Sequence, residues 1–339
     1  MELKHFAIEE EWFESPSLQG NPLGDPARRR VPVVVPRALR EDPKRRYPVV
    51  FVLAGFSGSG RAFLNWQAWA PSFPERMDAL RDRGGIGDLI AVLPDGFTRY
   101  GGSQYINSTA TGRYEDMIVR DLVPWVDARY PTLARREHRA IMGKSSGGYG
   151  ALVLGMRHPD IFGSVACHSG DMYFEYCYWN DFPRLLKFLN KHGGLEGFLS
   201  HFFSAPKRTS DMVLAMNVVA MAATYSPDPA ASSAAGRFLL PFDPETGEVR
   251  GEVWARWLEH DPVRLCERYR EGLKSLRLLY LDCGKLDQFH LQYGLRILSR
   301  RLKQMGIPHV AEEFEDDHTD TSYRYEVSLP RIWESIREL

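Results

Sequence analysis

The chain has 339 residues, 44% of them apolar and 26% charged, and its 43 basic and 44 acidic side chains leave a formal net charge of −1. That balance excludes the one-signed field that nucleic acid or an anionic membrane surface calls for, while the apolar content is enough to build one large α/β unit. Cys167, Cys177, Cys266 and Cys283 have no CxxC spacing, which argues against zinc-finger and redox motifs and for reduced, buried thiols.

Residues 1–11 are acidic and mixed, without the basic start and apolar run of a signal peptide. No apolar stretch approaches the length of a membrane span. The expectation is a cytoplasmic enzyme with neither a nucleic-acid nor a membrane partner. The basic clusters Arg28-Arg29-Arg30 and Lys44-Arg45-Arg46 read as solvated strand ends and turns. Residues 31–36 have the β-branched content of a strand, and Pro32 and Pro36 confine it to an edge or a strand end. Residues 47–55 form a continuous apolar run closed by glycine, the pattern of a strand covered on both faces. Residues 87–93 repeat that unit and end in the turn Pro94-Asp95-Gly96. Residues 114–129 have apolar positions at helical spacing. Residues 139–143 read as a short strand, 150–156 as a helix and 161–168 as the next strand. Such alternation predicts a mostly parallel sheet with helices on both faces.

The pattern breaks at residues 171–262, which are rich in aromatics and helix formers, with a looser stretch at 226–236. This predicts a largely helical cap inserted into a core made of residues 1–170 and 263–339. The sheet resumes at 276–282, followed by an amphipathic helix at 291–305, a strand at 309–314 and a closing helix at 328–339.

Gly143-Lys144-Ser145-Ser146-Gly147-Gly148 matches G-x-S-x-G. A serine at its centre sits on a sharp strand-to-helix turn that has no room for side chains at the flanking positions. The helix that follows turns its positive end toward negative charge developing at the serine. A serine hydroxyl needs a base to take its proton, and in this architecture the chain order is serine, acid, histidine. Of ten histidines, His318 lies in a polar loop after the last strand, where a mobile base belongs. The acid is expected after the preceding strand, where Asp287, past a glycine turn, is favoured over Asp282 at the strand end. Asp171 is the third candidate. The loop Ala54-Gly55-Phe56-Ser57-Gly58-Ser59-Gly60 lacks the ending of a phosphate-binding loop and suits a second oxyanion donor, which makes the backbone N–H groups of Phe56 and Ser146 the expected oxyanion hole.

These segments together resemble the putative-esterase family of α/β-hydrolases, which includes esterase D, the S-formylglutathione hydrolase, and the feruloyl esterases. Residues 143–152 resemble the elbow of esterase D. Asp282-Cys283-Gly284-Lys285-Leu286-Asp287-Gln288-Phe289 resembles its acid loop, in which the second aspartate is catalytic. Asp317-His318 followed by Ser322-Tyr323-Arg324-Tyr325 resembles its histidine loop, and residues 114–125 its helix before the elbow. Two departures stand out: Lys144 occupies a position usually held by histidine, and residues 171–262 exceed the corresponding segment of esterase D.

The resemblance implies an α/β-hydrolase fold and a serine carboxylesterase acting on short- to medium-chain or aromatic esters through Ser145, His318 and Asp287. It implies no metal or organic cofactor, and a small-molecule ester as partner; homo-oligomers remain open. Acyl transfer and thioester hydrolysis use the same three residues. A fold kept only for binding is the reading from another class. His168, at a strand end, with Tyr173 and Trp179 from the aromatic stretch 173–182, is expected to line the substrate pocket. The alternative for that stretch is packing of the cap on the body.

Overall fold

The computed structural model describes residues 3–42, 44–230 and 237–338. Its strands in chain order are β1 (Phe6–Glu14), β2 (Arg28–Pro36), β3 (Val49–Leu53), β4 (Ile90–Val92), β5 (Asn107–Ser108), β6 (Gly112–Arg113), β7 (Arg139–Lys144), β8 (Ser164–His168), β9 (Leu278–Gly284) and β10 (Val310–Phe314). Eight of them form one sheet in the order β1-β2-β4-β3-β7-β8-β9-β10, and β5 and β6 pair separately. From β4 to β10 the neighbours run parallel, while β2 is antiparallel to both β1 and β4. Helices pack on both faces. This is the α/β-hydrolase fold.

The continuous apolar run explains the centre of the sheet. All five residues of β3 are buried, between β4 on one side and β7 on the other. Each such side chain contributes roughly 1.5–3 kcal/mol by leaving water. The edge on this side is β1, where only Phe6 and Phe13 are buried and the residues between them alternate between partly exposed and exposed. The guanidinium groups of Arg28 and Arg30 lie over its Trp12, at 4.5 and 5.0 Å from the ring centroid.

Two expectations for the N-terminal region are corrected. Strand β2 is interior, because β1 covers its outer side in a nine-pair antiparallel ladder from Phe6↔Pro36 to Glu14↔Arg28. Pro32 is tolerated there because β4 is short and pairs only with Val33 and Val34; the Pro32 carbonyl still accepts the Leu93 N–H at 3.0 Å. Arg29 is not solvated. It is 5% exposed and donates to the Pro26 and Phe97 carbonyls, both at 2.7 Å, and to the Tyr114 hydroxyl at 2.9 Å.

The helical spacing at 114–129 gives one continuous helical element whose middle, Met117–Leu122, is π-helical. Pro124 has no N–H to give the Arg120 carbonyl, and the wider turn accommodates that loss. A helix at Phe73–Asp82 had no counterpart in the sequence reading. Its N-terminus is a capping box in which Glu75 accepts the Ser72 N–H at 2.7 Å.

Between β8 and β9 the described residues form helices at Phe174–Tyr178, Phe182–His192, Leu195–Ser204, Ser210–Tyr225, Gly251–Leu258, Pro262–Arg268 and Arg270–Lys274. Their buried faces join the same apolar cluster as one face of the sheet. Residues 231–236 of the expected looser stretch lie outside the described residues, as does Leu339 of the expected closing helix, which runs from Tyr325 to Ile336. The four cysteines are buried and carry no disulfide. No described helix is long and apolar enough to cross a membrane.

Candidate active site

Parallel strands end together, so the loops that follow them gather at one rim of the sheet. The register places Lys144 and His168, the last residues of β7 and β8, side by side with Asp282 and Glu312, after which β9 and β10 run on to Gly284 and Phe314. One residue past Lys144 the chain turns sharply into the helix Ser146–Arg157. At the turn Ser145 has φ 57° and ψ −128°, a conformation that a non-glycine residue holds at a cost of about 1–3 kcal/mol. The turn closes because its glycines have no side chain. A Cβ on Gly147 would lie 2.1 Å from the Leu53 carbonyl oxygen, and one on Gly143 would lie 2.5 Å from the Gly147 backbone. The Ser145 N–H donates to the His168 carbonyl at 2.9 Å, which ties the turn to the end of β8.

The loops after β9 and β10 are fastened to each other. Lys285 N–H donates to the Phe314 carbonyl at 2.9 Å and Leu286 N–H to the Asp316 carbonyl at 3.0 Å. Gln288 Oε1 accepts the His318 N–H at 2.9 Å. This pinning brings Asp287 Oδ2 to 2.7 Å from His318 Nδ1, and His318 Nε2 to 3.0 Å from Ser145 Oγ. An ionised carboxylate only accepts, so Nδ1 carries the proton and Nε2 of the neutral ring is left as an acceptor facing the serine hydroxyl. The Asp287 carboxylate also accepts the Phe289 N–H at 2.9 Å and lies 3.6 Å from the Cys283 thiol. Phe289 packs edge-on against the His318 ring, with centroids 4.8 Å apart. Asp287 and His318 are buried.

Ser146 is the first residue of its helix, so its N–H has no acceptor within the helix. Gly55 lies directly against the turn: a Cβ there would be 3.4 Å from the Ser145 Cβ. Phe56, the next residue, packs its ring on Gly101 and Gly102. Phe56, Ser145 and Ser146 all line one cleft of about 760 Å³. Phe63, Phe73, Phe289, Val213 and Leu214 give the cleft apolar walls, and Asp171, Asp181 and Asn217 give it polar ones. Val213, Leu214 and Asn217 come from the helix Ser210–Tyr225.

The competing acids have other partners. Asp282 is buried and bonds to His168 and Arg324. Asp171 accepts from Gln104 Nε2 at 2.8 Å and from the Tyr178 hydroxyl at 3.0 Å, and burial pushes its carboxyl up. Lys144 lines the cleft, and burial lowers its ammonium against the pull of Asp320 and Asp287.

None of the three residues expected to line the pocket does so. His168 faces away from the cleft, between Asp282 and Ser328. The Tyr173 ring packs on Tyr176, 4.9 Å between centroids, and Trp179 packs on Trp254 at 5.6 Å. Of the aromatic stretch, Tyr178 lines the cleft. Phe174 and Phe182 are buried in packing around Tyr225 and Trp257. The cleft residues that the sequence did not offer include Val213, Leu214 and Asn217 on the helix 210–225, the segment 62–73, and Asp181, while Gln104 is buried behind the cleft on Asp171. Gln104 and Tyr105 both have positive φ, at 52° and 55°, in a turn without a sequence motif.

A family model described as Esterase, Putative esterase, matches residues 26–332. An esterase of Mycobacterium tuberculosis is 30% identical over 127 residues, which is 37% of this chain but only 26% of that relative. Among solved structures, a ferulic acid esterase superposes with a TM-score of 0.63 at 18% identity, covering 97% of this chain and 98% of its own. An S-formylglutathione hydrolase of Staphylococcus aureus gives a TM-score of 0.56 at 16% identity, covering 98% of this chain and all of its own (100%).

Proposed function

The chain belongs to the Putative esterase family, and from that premise we propose that it is a serine carboxylesterase with Ser145 as nucleophile. The observation that carries the reading is the unbroken hydrogen-bonded line from Asp287 through His318 to Ser145, at 2.7 and 3.0 Å. His318 Nε2 takes the Ser145 proton as Oγ attacks the ester carbonyl, and Asp287 holds the ring in its tautomer and stabilises the imidazolium. The N–H groups of Phe56 and Ser146 receive the tetrahedral oxyanion. The alcohol leaves with the proton from His318, and water repeats the sequence on the acyl-enzyme.

The helical segment 171–262 is the cap in this reading, supported by the cleft residues that it contributes. The apolar walls and the 760 Å³ volume suit a short to medium or aromatic acyl group. A cytoplasmic location belongs to the same reading, supported by four buried thiols without a disulfide. The test is covalent labelling with a fluorophosphonate: the wild-type protein is labelled and Ser145→Ala is not. Equal labelling of both would place the nucleophile elsewhere.

A further inference from the structure

Asp171 lies in the loop that follows β8, and Gly170 before it packs on the nucleophile turn: a Cβ on Gly170 would lie 3.0 Å from the Tyr149 backbone nitrogen. The aspartate lines the cleft beside Ser145 and is 6% exposed. Its two bonds within the chain, from Gln104 Nε2 and from the Tyr178 hydroxyl, both fall on Oδ2. Oδ1 has no hydrogen-bond partner among the described residues. The frame behind it is buried and fixed. Gln104 Nε2 also donates to the Tyr225 hydroxyl at 2.9 Å, while Gln104 Oε1 is buried without a partner. Gln104 and Tyr105 both hold positive φ to reach this position, a strain that persists where surrounding structure imposes it, as in ligand clamps. A buried carboxylate oxygen without a donor is costly, and a ligand that brings a donor recovers that cost.

We propose that Asp171 Oδ1 receives an ammonium carried by the acyl half of the ester, so that the substrate class is an aminoacyl ester. This rests on the esterase reading. The lining of the cleft selects a cation. Among the described residues that line it, Asp171, Asp181 and Asp320 are carboxylates and Lys144 is the one ammonium. Lys144 is drawn to Asp320, Asp287, Asp317 and Asp316, and no lysine or arginine pairs with Asp171 among the described residues. Burial therefore pushes the Asp171 carboxyl up without a fixed cation to compensate it, and an ammonium on the substrate supplies that compensation. A neutral hydroxyl would bond Oδ1 and leave the charge unpaired. The acyl half is the part concerned, because Asp171 stands with Tyr178, Val213 and Leu214, the cap residues whose walls the acyl group fills. A charge-assisted bond at that point is about twice as strong as one between neutral groups.

The experiment compares the benzyl esters of glycine, glycolic acid and propanoic acid on wild type and on Asp171→Asn. These esters differ only in an ammonium, a hydroxyl or a methyl group beside the carbonyl, and the assay runs at about pH 7, where an α-amino group is mostly protonated. The expected result is that kcat/KM for the glycine ester, divided by that for the propanoate ester, falls about 10-fold or more in the variant, while the same ratio for the glycolate ester stays within about twofold. Taking ratios cancels the intrinsic reactivity of each ester and any general loss of folded protein. A glycine ratio unchanged within about twofold overturns the proposal. So does a glycolate ratio that falls as far as the glycine ratio, which makes Oδ1 an acceptor for a hydroxyl. Propanoate hydrolysis that survives Ser145→Ala instead overturns the esterase reading, whatever Asp171 does. Calorimetric titration of the Ser145→Ala protein with the benzylamides of glycine and propanoic acid keeps the ammonium site testable in that case. Tighter binding of the glycine amide that Asp171→Asn abolishes supports the site, and equal binding of the two amides overturns it.

Discussion

The His168 ring donates from Nδ1 to Asp282 Oδ1 at 2.8 Å, with both side chains buried. Ser328 Oγ lies 2.9 Å from Nε2 of the same ring. A serine, a histidine and an aspartate therefore line up a second time, sealed from the cleft. Arg324 adds a bond to Asp282 Oδ2 at 2.9 Å and the Tyr280 hydroxyl another at 3.0 Å. Through the His168 carbonyl this network stands directly behind Ser145. Its residues hold the sheet end that carries the turn.

Asp282→Asn is accordingly a stability variant. Removing one partner of a buried charge cluster costs about 3–5 kcal/mol, read as a lower denaturant midpoint. Burial pushes the Asp282 carboxyl up, but His168 and Arg324 more than offset this and hold it below the usual 3.8. A carboxyl depressed in the fold contributes stability that is complete above its unfolded pKa and is lost as pH falls through the folded one. Wild type should therefore lose stability below about pH 4 with a dependence that Asp282→Asn lacks. Parallel acid-unfolding curves for the two proteins would contradict this role.

Asp287→Asn separates the two aspartates. The amide can no longer hold Nδ1–H on His318, and loss of the tautomer lowers kcat by about 10⁴-fold in such sites. The expected signature is a large fall in kcat with KM nearly unchanged. If Asp282→Asn lost the same activity while remaining folded and Asp287→Asn did not, the roles assigned to the two carboxylates would be reversed.

Asp181 gives a dependence of opposite sign. Burial raises its carboxyl to about 6, against the pull of Arg184. A raised carboxyl favours the fold below its unfolded pKa and loses that contribution as pH rises through the folded value. Asp181→Asn is neutral at every pH, and the partly exposed Arg184 contact that it gives up is worth little. Thermal unfolding should show the variant more stable than wild type above pH 6, by about 2 °C, with the gain gone by about pH 4. A gain of equal size at both ends of the range would rule out ionisation of Asp181 as its cause.

A feature of this fold is legible in the sequence to the extent that its signal is local. The turn at Ser145 was legible because its glycines and its flanking strand and helix are adjacent in sequence. The sheet's centre was legible from the unbroken apolar run of β3. Asp287 and Asp282 could only be ranked, since their roles depend on how two loops from different strands are pinned together. His168 illustrates the same limit: a histidine at a strand end can face the cleft or the sheet's interior, and Ser328, 160 residues away, completes the contact that settles it. Tyr178 lines the cleft and its neighbour Trp179 does not, since adjacent residues on a helical turn point about 100° apart. Strand β1 was missed because its acidic face, suited to an exposed edge, masks the alternation. The helix at Phe73–Asp82 did carry a sequence signal, the Ser72-x-x-Glu75 capping box.

The most direct measurement is hydrolysis of p-nitrophenyl esters from C2 to C12 by wild type and by Ser145→Ala. The account predicts that wild type cleaves the short and medium chains, and that the variant loses about 10³-fold or more in kcat. Equal rates for the two proteins would contradict it and bring forward a chain that keeps this fold for binding alone.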